Sequence, residues 1–402
     1  MTIDRNRRRF LRTTAALPIA HAVGFAAFGG ASVAFAVAPA TDPVVDRYGR
    51  LLVLVELKGG NDGLNTVVPY ADATYYALRP KLAIARDQII QLSDRVGLHP
   101  VLAPLSRFWR DRELAVLQGV GYPQPNLSHF RSIEIWDTAS RSDEYREDGW
   151  LTRTFAREPV GASYAADGVV IGSNDLGPLS GSGARTIALA DTQTFLRRAR
   201  LAQPATTASN KALAHILKVE ADIVQARGHL AAERAFETEF PTTGFGNAVK
   251  TACQVIANPS GVAAVRLTLT GFDTHTNQPG TQARLLADLA GGLAALKSAL
   301  IELGRWNETL VLTYAEFGRR PKENLSLGTD HGTATVHFAL GGRVAGGLYG
   351  EAPNLTALTG DGNPRHALDF RDIYATVLER WWNIDANRTL GGRFTSVPFL
   401  RA

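Results

Sequence analysis

The chain has 402 residues and a mass of 43.3 kDa, with 45% hydrophobic and 20% charged residues, which excludes a disordered or fibrous protein. Its net charge of +5 resembles that of many nucleic-acid-binding proteins, but +4 of this charge lies in residues 1–40. Residues 41–402 carry only +1. The charge of residues 41–402 therefore gives no reason to expect binding to nucleic acid or to an anionic membrane surface.

Residues 1–40 have the pattern of an export signal. The run Arg7-Arg8-Arg9-Phe10-Leu11-Arg12 precedes an alanine-rich stretch, and small residues allow cleavage after Ala36 or Ala40. The pattern resembles a twin-arginine (Tat) signal, whose translocon moves folded proteins. A retained membrane anchor is the alternative, since Thr13 to Ala38 is long enough to span a bilayer, but Pro18 makes it a poor spanning helix. We expect a periplasmic or secreted protein without stable membrane insertion.

Residues 41–402 are expected to form one α/β domain. Four short apolar runs read as buried strands: Leu51 to Val55, Leu114 to Val120, Val265 to Thr270 and Leu310 to Tyr314. Helix-period segments alternate with them: Leu98 to Phe108, Ser128 to Thr138, Thr281 to Gly304 and Asp369 to Trp382. This alternation predicts a mainly parallel sheet with helices on both faces. Ligands of such sheets bind beyond the carboxyl ends of the strands.

The stretch at about 153–247 differs from the rest of the domain. Asp167 to Gly183 is rich in glycine and serine, and Asp191 to Phe236 reads as one or two long, charged helices. We expect this stretch to form a mostly helical insertion or cap.

Polar residues follow the first two predicted strands. Lys58 to Thr66 contains the glycines of a tight turn, with Asp62 suited to a cation. A glycine-rich turn in which Asp62 and Asn65 bond their own backbone is the alternative. After the second strand, Ser128 stands where a helix should begin, followed by His129. Ser128 is either an N-cap or a nucleophile beside free helix N–H groups.

The later strands are followed by histidines and carboxylates. Asp273 and His275 come after the third strand, two positions apart, as in ligands of one cation. The fourth strand is followed by Glu316, then by Arg319, which suits a phosphate or sulfate oxyanion, and then by Asp330-His331. His337 lies among apolar residues and is expected in the core rather than at a metal.

Together these motifs resemble a family of exported bacterial proteins known as domain of unknown function 1501, which is related to the alkaline phosphatase and sulfatase superfamily. The resemblance covers nearly all of residues 41–402. It lies in these segments: Gly59 to Asn65, Asn126 to Phe130, Gly271 to His275, Glu316 to Arg319, Asp330 to Gly332 and Asp369 to Tyr374.

The resemblance implies an alkaline phosphatase-like fold and divalent metal ions, commonly zinc, that serve the hydrolysis of phosphate or sulfate esters. It implies Ser128 as the nucleophile. The metal ligands it implies are Asp62, Asp273, His275 and His331, with Glu316 where the superfamily has an Asp-His pair. From their chemistry we add Asp330 as a ligand and Arg319 as a catalytic residue. Asn61, Asn65 and His129 are the expected substrate contacts.

Departures from the superfamily leave a second function open. Asp62 lies several residues beyond the strand tip, Phe317 stands where a histidine ligand is expected, and the spacing from Asp273 to His275 is unusually short. The leading hypothesis is a metal-dependent hydrolase of a small ester. The alternative is a non-catalytic periplasmic binding or assembly protein that works with another exported protein.

Overall fold

The computed structural model describes residues 46–189 and 234–401. The predicted signal in residues 1–40 therefore lies outside the described residues. Among the described residues, no helix has the length and apolar character needed to cross a membrane.

The described part of the chain forms a nine-stranded sheet whose inner strands are mostly apolar and buried on both faces. Its strands, in chain order, are β1 Leu51–Lys58, β5 Leu114–Gly121, β6 Ala166–Ile171, β7 Thr186–Leu189, β8 Val262–Thr270, β9 Thr309–Tyr314, β12 Thr335–Leu340, β13 Gly347–Gly350 and β14 Leu368–Asp369. Across the sheet the order is β13-β5-β12-β9-β1-β8-β6-β7, with β14 also paired to β5. Only β12 pairs antiparallel with its neighbours among these described strands.

Two small sheets accompany the central one. One contains β2 Val67–Val68, β3 Ile90–Gln91 and β4 Gly97–Leu98. The other contains β10 Gly318–Glu323 and β11 Thr329–Gly332. The hairpin of β10 and β11 follows β9 directly. It carries Arg319 and His331 back to the carboxyl edge of the central sheet.

Helices cover both faces of the sheet. The described α-helices are α1 Gly63–Thr66, α2 Ala73–Leu78, α3 Ser106–Arg110, α4 His129–Thr138, α5 Trp150–Arg157, α6 Gly244–Ile256, α7 Gln278–Glu302, α8 Phe370–Thr376 and α9 Ala386–Leu390. A π-helical turn, Val377–Trp381, continues α8. Alternate residues of β1 enter two cores: one lies with α6 and α7, the other with α4, α5 and α8. The predicted α/β class with a mainly parallel sheet is confirmed.

The described part of the stretch at about 153–247 belongs to the central sheet rather than to a separate helical insertion. It contributes β6 and β7 to the central sheet and begins α6, which packs on that sheet. The glycine- and serine-rich composition concealed two short strands because their apolar runs are brief. Residues 190–233, which hold most of the predicted long helices, lie outside the described residues.

His337 occupies the core, as expected, but without hydrogen bonds. It lies on β12 with its ring 5.2 Å from that of Trp136, and neither ring nitrogen has a partner among the described residues. Burial lowers the pKa of His337 to about 3. The folded protein therefore resists protonation of this ring.

This burial predicts a pH-dependent loss of stability. Below the unfolded pKa of about 6.5, the unfolded chain binds a proton that the folded chain does not, so stability falls as the pH falls toward 3. Between pH 7 and pH 4, the free energy of unfolding should fall by about 3 kcal/mol more in the wild type than in His337→Leu. Urea unfolding at both pH values measures the difference, and parallel losses in the two proteins would contradict it.

Candidate active site

The four strand-end segments singled out in the sequence meet at the carboxyl edge of the sheet. The Gly59 N–H, after β1, donates to Glu316 Oε1, after β9, at 2.9 Å. The Phe272 N–H, after β8, donates to the Lys58 carbonyl at 3.0 Å. His129, at the start of α4, reaches the same Glu316 oxygen through Nδ1 at 2.9 Å. One edge therefore gathers side chains from distant parts of the chain.

The close approach of these segments requires glycine at position 59. Gly59 has φ +117°, and a Cβ placed there would lie 2.3 Å from the backbone nitrogen of Asp273. The glycines of the first motif thus let the turn after β1 rest against the segment that carries Asp273.

Two imidazole nitrogens and a carboxylate face one another at this edge. His129 Nε2 lies 3.4 Å from Asp273 Oδ2, and His331 Nε2 lies 3.2 Å from Asp273 Oδ1. One potential ligand atom from each of these residues lies within 4.8 Å of the others. We call these three residues the His–Asp cluster.

Hydrogen bonds fix the outer nitrogen of each histidine of the cluster. His331 Nδ1 lies 2.9 Å from the Leu127 carbonyl, which only accepts, so Nδ1 carries the proton. His129 Nδ1 donates in the same way to the Glu316 carboxylate. In the neutral rings, both Nε2 lone pairs then face the Asp273 carboxylate.

The charges around the cluster keep Asp273 ionised. Partial burial opposes its charge, but the hydrogen bond and positive charge of Arg319, together with His331, lower the pKa of Asp273 to about 2. The hydrogen bond to Glu316 raises the pKa of His129 against the effect of burial, and Asp273 raises it further. Burial, with Arg319 and His129 nearby, lowers the pKa of His331. The carboxylates thus favour a positive species at this position.

This donor set fits a divalent cation. Two imidazole nitrogens and a carboxylate converge here, and in the neutral rings both nitrogens offer lone pairs. Histidine ligands of metals typically donate their other N–H to a carboxylate or carbonyl, as His129 and His331 do. In addition, Glu316 Oε2 is buried with no hydrogen-bond partner in the described part of the chain. A nearby positive charge would offset that unpaired oxygen.

His275 and Asp330 border the cluster. His275 Nε2 lies 3.0 Å from His331 Nε2 and 3.1 Å from Asp273 Oδ1, so it contacts two of the three cluster residues. Asp330 is exposed and lies 3.6 Å from His275 Nδ1. It therefore reaches the cluster only through His275.

Ser128 stands at the start of α4, as expected, and is the N-cap residue. Its hydroxyl makes no capping hydrogen bond, and the residue is exposed. The first turn of α4 consequently has no side-chain cap, although His129 within it belongs to the cluster. The Ser128 hydroxyl thus has no hydrogen-bond partner among the described residues, and Ser128 directly precedes His129 of the cluster.

The expected metal role of Asp62 is corrected. Its carboxylate is buried and forms an ion pair with Arg79, accepts a hydrogen bond from Gln278 and caps α1 through the Leu64 N–H at 3.1 Å. These bonds occupy both oxygens. Asp62 holds the turn after β1 and does not join the His–Asp cluster.

The expected substrate contacts Asn61 and Asn65 are likewise buried within the fold. Asn61 bonds the Thr66 hydroxyl at 2.9 Å, and Asn65 accepts from Tyr75 at 2.8 Å. The alternative of a glycine-rich turn therefore holds for Asp62, which bonds the nearby Leu64 N–H, but not for Asn65, whose side chain bonds Tyr75, Leu82 and Arg79 rather than its own backbone. His129, in contrast, supplies one of the potential ligand atoms of the His–Asp cluster.

The expected oxyanion role of Arg319 is also corrected. Its side chain is buried, and its three nitrogens donate to protein oxygens: the carbonyls of Gly59, Gly60, Phe272 and Thr329, and Asp273 Oδ1 at 2.7 Å. With these bonds made, the guanidinium has no fork of free N–H groups for a substrate. Arg319 instead positions Asp273.

Sequence reasoning missed the partners of these buried groups and the packing role of Phe317. The Phe317 ring lies 4.4 Å from that of His331 and 4.9 Å from that of His129, so it supports the two imidazoles from one side. The ion pair between Arg79 and Asp62 could not be predicted from a local motif, because it forms only when the chain turns back after α2. For Phe317 the sequence did contain a signal: an aromatic residue stands where the superfamily has a histidine ligand, which indicates packing rather than metal binding at this position.

Residues 115–392 match the family described as protein of unknown function, DUF1501. The chain belongs to this family. No curated protein matches the sequence. Among solved structures, this DUF1501 chain is similar to the PsFucS1 sulfatase of Pseudoalteromonas sp., at 11% identity and a TM-score of 0.40, covering 88% of this chain and 72% of the sulfatase. It is also similar to the phosphonate monoester hydrolase SpPMH of Silicibacter pomeroyi, at 11% identity and a TM-score of 0.40, covering 86% and 75%.

The pairing of Asp62 predicts a structural phenotype. Asp62→Asn leaves Arg79 buried without a counter-charge, so the free energy of unfolding should fall by about 3 kcal/mol, measured by urea unfolding. Asp87→Asn, at an exposed position, should change it by less than about 0.5 kcal/mol. The metal content of folded Asp62→Asn should equal that of the wild type. Loss of metal at unchanged stability would return Asp62 to the ligand set.

Proposed function

We propose that this protein is an exported metal-dependent hydrolase of a phosphate or sulfate ester. One observation carries the proposal: two imidazole nitrogens and the ionised Asp273 converge at the start of α4, where Ser128 is the N-cap residue and directly precedes His129. The leader-like pattern of residues 1–40 supports export. Export and ester hydrolysis are separate parts of the proposal. The substrate we propose is a small ester.

His129, Asp273 and His331 would hold the cation, with His275 at its border. Two imidazoles and one carboxylate form a donor set that suits zinc and leaves a position open for substrate. A bound divalent cation supplies Lewis-acid stabilisation of the negative charge on the transferred group. Glu316 and the Leu127 carbonyl orient the two imidazoles through their Nδ1 protons.

Ser128 supplies the nucleophile in this proposal. Its oxygen forms a bond to phosphorus or sulfur while the bond to the ester oxygen breaks, and the serine proton passes to the leaving alcohol. Water then hydrolyses the serine ester, which releases phosphate or sulfate and restores the serine hydroxyl. The uncapped N–H groups of the first turn of α4 bind oxygens of the transferred group. Phe317 shields one side of the imidazole pair from water.

A non-catalytic binding or assembly role is the second candidate, favoured by one observation. Asp62 and Arg319, both expected to serve catalysis, are engaged in bonds that hold the fold. On this proposal the cluster binds a metal for structure, and another exported protein is the partner. The two candidates differ in turnover.

Metal content and turnover test the proposed hydrolase together. Purified protein should contain at least one equivalent of divalent metal by elemental analysis, and His331→Ala should lose it, because one of its convergent ligands is gone. Ser128→Ala should retain the metal but lose more than about 100-fold in kcat on chromogenic phosphate and sulfate esters. Ser298→Ala, exposed on α7, serves as the matched control and should remain active.

The outcomes separate the candidates. A metal-free protein without turnover of either ester class contradicts the hydrolase. Metal binding without turnover, and with a partner retained in Ser128→Ala, supports the binding role. Equal turnover by wild type and Ser128→Ala removes Ser128 from the mechanism.

A further inference from the structure

A cleft of about 460 Å³ lies at the amino edge of the sheet, away from the His–Asp cluster. Arg50, which lines it, directly precedes β1, whereas Gly59 follows the same strand at the candidate active site. Eight residues of strand at about 3.3 Å each separate the two ends by about 26 Å. The cleft is therefore a different place from the candidate active site.

Four arginines and one acid line this cleft. The arginines are Arg50, Arg343, Arg380 and Arg401, and the acid is Glu379. Glu379 already accepts a hydrogen bond from the Ser396 hydroxyl. The cleft thus has a local excess of three positive charges, whereas residues 41–402 as a whole carry +1.

Four separate segments bring these arginines together. Val344 and Leu400 form an antiparallel bridge, which places Arg343 beside Arg401, whose N–H donates to the Arg343 carbonyl at 2.8 Å. The third segment is the π-helical turn that ends at Trp381, and Trp382 Nε1 donates to the Arg50 carbonyl at 2.7 Å. Turns of π-helix inside α-helices occur frequently at functional sites.

Some guanidinium groups are fixed and others are free. Arg50 Nη1 donates to the Trp381 carbonyl at 3.0 Å, and its guanidinium carbon lies 5.5 Å from the centre of a Trp381 ring. Arg401 donates to two carbonyls. The side chains of Arg343 and Arg380, in contrast, have no hydrogen bond or ion pair to any described residue. Burial and the charge of Arg343 lower the pKa of Arg50, as expected for like charges without a counter-ion.

From this convergence we infer a binding site for a small multivalent oxyanion that carries phosphate or sulfate groups. The planar guanidinium group can donate two hydrogen bonds to a phosphate or sulfate group. Arg50 and Arg401 are fixed by carbonyls, Arg343 and Arg380 have unused N–H groups, and the positive charge of the cleft exceeds its negative charge by three. The negative charge of Glu379 opposes an anion, but the four arginines that line the cleft outnumber it. The inference does not depend on the proposed hydrolase.

Binding of inorganic pyrophosphate to the full chain tests the site by calorimetry. Wild type should bind one equivalent, and Arg343→Gln/Arg380→Gln should weaken Kd at least about tenfold, since both side chains make no bond that the fold needs. Arg284→Gln replaces an exposed arginine on α7 that has no hydrogen bond or ion pair within the described part of the chain, and it should bind within about twofold of wild type. His331→Ala should also bind as wild type, because the His–Asp cluster is not involved.

Several results would overturn the site. These are no saturable binding of pyrophosphate by the wild type, equal affinity in Arg343→Gln/Arg380→Gln, or a loss of binding confined to His331→Ala. Inorganic phosphate should bind at least about tenfold more weakly than pyrophosphate, because it spans fewer guanidiniums. Binding to phosphatidylglycerol vesicles that pyrophosphate does not displace would replace the small anion with a lipid surface.

Discussion

The buried guanidinium of Arg319 is the interaction on which the carboxyl edge of the sheet depends. Carbonyl oxygens from the turn after β1, the segment after β8 and the start of β11 converge on it, together with the Asp273 carboxylate. Without a cation, these buried acceptors would face one another unpaired. Arginine suits the position because it offers five N–H donors in one plane, whereas lysine offers three from a single nitrogen.

The geometry of the candidate site follows from this constraint. Because Arg319 binds Asp273 Oδ1, the carboxylate is held where His129 and His331 approach it, and the positive charge keeps it ionised. Glu316 orients His129, and Phe317 packs on both imidazole rings. The site is therefore preorganised by buried polar bonds that the substrate would not touch. A side chain expected to act on substrate acts on a neighbouring side chain instead.

Much of the sheet and its site edge followed from the sequence, because continuous apolar runs mark strands buried on both faces and polar residues at their ends must meet at one edge. The cluster residues Asp273 and His331 were found in this way. Composition concealed β6 and β7, which are short and flanked by glycine and serine. The roles of Asp62 and Arg319 were not predictable either. Their partners depend on where distant segments return, and no local spacing records that.

Charge illustrates the same limit on reasoning from sequence. A net value of +1 over residues 41–402 describes the sum of the charges, but salt screens interactions between exposed charges that are farther apart than a Debye length of about 10 Å. At closer range the arrangement decides. Arg50, Arg343, Arg380 and Arg401 are scattered along the chain, and only the Val344–Leu400 bridge and the π-helical turn gather them into one cleft. A fold can therefore concentrate charge at a single place while its total remains near zero, and anion recognition depends on that local concentration.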